Sequence, residues 1–128
     1  MAYTIDRVVT GADFEDIDAR VRTALGAAGF GVLTEIDVKA TMKKKIDVDM
    51  SPYRILGACN PHMAHKAIGF EPRVGAMLPC NVILRQVDNG VEISAIDPVA
   101  SMQAIDNPEL LSVAAEVRDM LKEVVRVA

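Results

Sequence analysis

The chain of 128 residues contains no Trp, two Tyr and three Phe. With so few aromatic rings, its core must be assembled from Val, Ile, Leu, Met and Ala, and the 51% hydrophobic content supplies them. Only two Cys are present, too few for the disulfide framework of a small secreted domain. The opening MAYTIDRVV lacks the basic and then apolar run of a secretory signal and reads at once as a strand. An intracellular, cytoplasmic protein with reduced thiols is therefore expected.

Long apolar runs are missing too. The longest are broken by charges well short of the roughly 20 residues that a membrane span needs, so no membrane partner is expected. Nor does one sign of charge dominate: 14 Lys and Arg are interspersed with 18 Asp and Glu, a formal net charge of −4. Such a surface has no broad positive field to gather nucleic acid, and none is expected as a partner. The one basic run, Lys43, Lys44 and Lys45, comes without stacking aromatics and reads as a solvated face. The length suits one domain over residues 1–128.

The pattern that remains is α+β. Tyr3 to Val9 has strand composition. Phe14, Ile17, Val21, Leu25 and Ala28 then share one helical stripe, with Glu15, Asp18 and Arg22 off it. Asp13 is placed to cap that helix. In VLTEIDV the alternation puts Val32, Ile36 and Val38 on one face and Glu35 and Asp37 on the other, the period of a half-buried strand. Val38 to Ile46 fits a short helix or a turn-rich link, and YRILGA (53–58) a buried strand. NVILRQV and VEISAI flank Asp88-Asn89-Gly90, whose Asn-Gly is expected to supply the positive φ angles of a tight hairpin turn.

Asn60-Pro61, Asp97-Pro98 and Asn107-Pro108 share one grammar. A side-chain acceptor caps the free N–H groups, and Pro occupies the first helical position, where its missing donor costs nothing. Each pair predicts a helix start, the last opening a long helix with Leu110, Val113, Ala114, Val117, Leu121 and Val124 on one stripe. The order β-α-β-β-β-β-α, with short helical insertions, predicts a largely antiparallel sheet with both long helices packed on one face.

YRILGACNPHMAHKAIG, VGAMLPCNVILR and ISAIDP together resemble the bacterial and archaeal family known as domain of unknown function 302, and the likeness extends from GFGVLTEIDV to the terminal helix. The resemblance implies a TATA-box-binding-protein-like topology and a homodimer. It carries over Cys59, Asn60, Pro61, Ala64, His65, Pro79, Cys80, Asn81, Asp97 and Pro98, whereas His62 falls on a variable position. It assigns no reaction. The company some relatives keep with rhodanese-like and persulfide-carrier domains implies a link to sulfur metabolism and a sulfur-carrier partner.

The chemistry-bearing residues cluster at CNPHMAH and MLPCN. Cys59 ends a strand directly before a helix start, whose positive end favours a thiolate. Side chains lean toward a helix N-terminus, so His65 is expected to lean back toward Cys59. Pro79 cannot donate to a sheet ladder, so Cys80 is expected near an edge or opening. Against this stands the tendency of free Cys to pack as a small hydrophobe. Zinc would need four ligands, and although Cys59, His62, His65 and Cys80 are of the right types, the two His project about 60° apart on a helical wheel. A Cys59–Cys80 disulfide would close a stabilising loop but needs an oxidising compartment.

Three functions follow. The first is a small binding domain holding a thiol, persulfide, metal or small ligand in a pocket near Cys59, His65 and Cys80, with Asn60, Asn81 and Asp97 beside them. The second is an enzyme with Cys59 as nucleophile and His65 as base. The third is a dimerisation module with inert, packed cysteines. The first is preferred, with the cofactor open.

Overall fold

The computed structural model describes residues 2–128. Strands β1 (Thr4–Thr10), β2 (Gly31–Asp37), β3 (Tyr53–Cys59), β4 (Cys80–Val87) and β5 (Gly90–Ile96) form one sheet in the order β1-β5-β4-β3-β2. Every neighbouring pair is antiparallel. Helices α1 (Phe14–Ala27) and α5 (Pro108–Val127) pack on one face of it, and their expected stripes are the ones that bury Ile17, Val21, Leu25, Leu110 and Leu121 completely. They cover the inward residues Leu56, Ala58, Val82, Leu84, Val91, Ile93 and Ala95, all without solvent exposure. One apolar face of the sheet and two apolar helix stripes thereby satisfy each other.

All three Asn-Pro and Asp-Pro pairs open helices. Asn60 Oδ1 accepts from Met63 N at 3.2 Å and starts α3 (Pro61–Phe70). Asp97 Oδ1 accepts from Val99 N at 2.9 Å and starts α4 (Pro98–Ser101), and Asn107 Oδ1 accepts from Leu110 N at 3.1 Å and starts α5. Val38–Ile46 is helical, α2, with no buried residue. Between α3 and β4 the chain makes a six-residue 3-10 helix, Pro72–Met77, which no period in the sequence announces.

Two local expectations are corrected. In β2 the register shifts between Val32 and Thr34, so that Val32 lies opposite Ala58 while Glu35 lies opposite Leu56 and Ile36 opposite Ile55. An extra residue in one strand reverses the phase of every side chain beyond it. Val32 therefore faces the helices, and Ile36, expected beside it, points to the uncovered face, where it is 47% exposed. In the hairpin, Val87 pairs with Gly90 and the loop is Asp88-Asn89, and none of Asp88, Asn89 and Gly90 has positive φ. Gly90 is required for another reason: a Cβ there would run into the Val9 carbonyl and stand 3.0 Å from Thr10 Cα on β1. Its glycine permits close strand approach, not a special turn angle.

The third departure is a charge network on the covered face. Asp18, off the apolar stripe of α1, is only 7% exposed. It receives Arg22 Nε at 2.7 Å and Arg54 Nη1 at 3.0 Å, while Arg54 also reaches Glu15 at 2.9 Å and lies over the Phe14 ring at 5.1 Å. Glu35 of β2 completes the cluster through Arg22 at 3.2 Å. At the far end of the same face, Arg7 Nη1 donates to the carbonyls of Val125, Arg126 and Ala128, satisfying oxygens that the last turn of α5 leaves unpaired.

Candidate functional site

A cavity opens where β3 ends and β4 begins. Its floor is the strand pair Ala58 and Cys80, which stand directly opposite each other in the ladder. Its walls are α3, α4 and α5, each held there by the side-chain cap that begins it. Met63, Ala64 and Ala67 come from α3, Met102 from just beyond α4, and Ala114 and Val117 from α5. The space inside is about 30 Å³, enough for one or two water molecules. The small side chains Ala58, Ala64, Ala67 and Ala114 keep it open.

Cys80 is 7% exposed, in the wall of this cavity. Burial pushes its thiol up to about 11, with the nearby Cys59 adding to the shift, so Cys80 is a neutral S–H at physiological pH. Cys59 also borders the cavity and is half-buried. Its partner in the ladder is Gly31 of the neighbouring strand, one position beyond the Val32–Ala58 pair, so in the pleat it has the opposite parity to Ala58 and Cys80. Two thiols of opposite parity on adjacent strands have diverging Cβ directions, and a disulfide between them would need the strand end to move.

Of the residues singled out in the sequence, the cavity unites Cys59, Asn60 and Cys80. Asn60 caps α3 and turns its amide nitrogen to Met120 Sδ at 3.8 Å. His65 is not brought in. With α3 starting at Pro61, residues 60, 63, 64 and 67 face the cavity and His62 and His65 project into solvent. Asn81 lies opposite Gly57 and is exposed, and Asp97 is occupied as the cap of α4, which contributes Pro98 to the wall instead. Among the described residues no group of three or more His, Cys, Asp or Glu converges, so the four zinc-ligand types of CNPHMAH and MLPCN do not assemble. Missed from the sequence were Met63 and Met102, whose signal was only their residue type.

Gly57 stands next to Ala58 on β3 and faces the other side of the sheet, opposite Asn81. A Cβ at that position would overlap Thr34 Oγ1 and stand 2.8 Å from Pro79 Cγ, so glycine alone lets Thr34 and Pro79 close over β3. Pro79 follows a cis peptide bond from Leu78, and both residues border the cavity.

A sequence model described as "Domain of unknown function DUF302" matches residues 5–128. The fold is similar to the "crystal structure of uncharacterized conserved protein DUF302 from Bacillus stearothermophilus", with a TM-score of 0.87 and 26% sequence identity over 97% of this chain and 94% of that one. Among curated proteins none matches.

Proposed function

The chain belongs to the DUF302 family, and from that premise we propose a small binding domain whose cavity at the junction of β3 and β4 takes up a compact ligand. The observation that carries this reading is the cavity itself: an apolar space bounded by three helices and two strands, with Cys80 in its wall and Cys59 at the strand end. A domain with so complete an apolar core has the means to close such a space, since Leu or Met at Ala64 or Ala114 would fill it. Persulfides, thiols and small apolar molecules suit walls of this chemistry. Nucleophilic catalysis is less well supported, because no His, Asp or Glu lines the cavity to act as a base beside either thiol.

A second copy of the chain is the proposed macromolecular partner. The sheet face away from α1 and α5 carries Ile36 and Ile55 side by side with Ile83, and Ile36 and Val8 are more than 40% exposed there.

The test is xenon binding followed by NMR of ¹³C-methyl methionine. The methyl signals of Met63 and Met102 are expected to shift saturably under xenon pressure, and Ala114→Leu to abolish the effect while the protein stays folded. Unmoved Met63 and Met102 signals in the wild type would overturn the reading.

A further inference from the structure

We propose that the cavity holds a soft monovalent metal ion, of the Cu(I) class, ligated by the thiolate of Cys80 and the thioethers of Met63 and Met102. This deepens the binding reading above and rests on it.

The donor set leads to the ion. Four sulfur side chains border one space of about 30 Å³: Cys80, Met63 and Met102, and at the strand end Cys59, whose Cβ direction diverges from that of Cys80. Asn60 is the other polar side chain in the wall, and both ends of its amide are engaged, by Met63 N and by Met120 Sδ. Everything else in the wall is apolar. Sulfur is therefore the donor available, and thiolate with thioether selects soft ions such as Cu(I) over Zn(II), Mg(II) or Ca(II). Charge gives the same answer. No carboxylate lines the cavity, and a dication beside a single thiolate would leave a buried, unbalanced charge. One monovalent ion with one thiolate is neutral.

Binding is a proton-for-metal exchange with no change of oxidation state. Cys80–SH loses its proton to solvent, its sulfur lone pair forms the bond to the ion, and the two methionine sulfurs donate lone pairs in place of the ion's former ligands. A cysteine ligand binds as the thiolate, so each ion bound at Cys80 displaces one thiol proton.

The experiment is an anaerobic titration of the full chain with Ag(I), a redox-inert probe of the same class, and then with Cu(I) against a competing chelator. In Cys59→Ser, which removes the more exposed thiol, one ion and one released proton per chain are expected, and of the seven methionine methyl signals those of Met63 and Met102 should move. Cys80→Ser should abolish binding at the cavity. Met63→Leu and Met102→Leu, which keep the volume, should each weaken it at least about tenfold. Melting curves of each variant establish that it is folded. Loss of Ag(I) binding in Cys59→Ser, or Ag(I) shifts of the Met63 and Met102 signals that survive Cys80→Ser, or indifference to both Met→Leu changes, overturns the assignment. If xenon shifts the Met63 and Met102 signals while Ag(I) does not, the metal site is wrong and the cavity reading stands; if neither probe moves them, both readings fall.

Discussion

Arg54 Nη1 lies 3.0 Å from Asp18 Oδ2, joining β3 to α1 through an ion pair whose carboxylate is buried and whose guanidinium is half-buried, on the helix-covered face of the sheet. Arg54 is on the same face of β3 as Leu56 and Ala58, so without Asp18 a guanidinium would stand against the core with part of its charge unmatched. Removing one partner of a buried pair is costly, but Glu15 and Glu35 remain near both arginines and soften the loss. Asp18→Ala is expected to destabilise the fold by about 2 kcal/mol, measured by denaturant unfolding with an unchanged slope.

The same pair sets a pH dependence. Burial alone would push the Asp18 carboxyl up, but the hydrogen bonds and charges of Arg22 and Arg54 outweigh it and hold the group below its ordinary range. A carboxylate with a depressed folded value contributes stability that is full above the unfolded value, about 4, and is lost as pH falls through the folded value. The stability difference between wild type and Asp18→Asn should be constant from pH 5 to 7 and shrink below about pH 4. A difference that grows on acidification would contradict this assignment.

The two helical stripes, the three Pro-marked helix starts and the order of elements along the chain were legible because each depends on residues close in sequence, spaced at the period of its element. What was hidden depends on partners distant in sequence. The phase of β2 was lost to a bulge beside Leu33, which no residue type signals. Asp18 counted as solvent-facing because its burial is caused by Arg54, 36 positions away, at the edge of a strand otherwise read as apolar. Gly90 was assigned to turn geometry, whereas the neighbouring strand β1 makes it necessary. At the site, the start of α3 was legible but not its rotation: Met63, Ala64 and Ala67 turn inward, and His65 consequently turns out.

The thiols should differ sharply in reactivity. Cys80 is buried and held protonated, while Cys59 is half-buried at a strand end. With iodoacetamide at pH 7.5 the native protein is expected to be modified once, and Cys59→Ser should remove that event. Cys80 should react only on unfolding. Rapid alkylation of both thiols in the folded protein would contradict the burial of Cys80.

Gly57→Ala is expected to destabilise by about 2 kcal/mol or more, because the new methyl meets Thr34 and Pro79 at once. Thr34→Ala made in addition should recover part of the loss. Full recovery would show that Pro79 does not press on β3.

Sedimentation equilibrium at micromolar concentration should give a dimer, and Ile36→Lys, which places a charge on the uncovered sheet face, a monomer of unchanged melting temperature. A monomeric wild type would remove the proposed self-association.

The central claim is that the cavity beside Cys80 admits a ligand, and crystallography under xenon pressure tests it most directly. The account predicts an anomalous peak in the space bounded by Cys80, Met63 and Met102, absent in Ala114→Leu crystals treated in the same way. Xenon bound only elsewhere, or no peak at occupancies that fill other small apolar cavities, would contradict it.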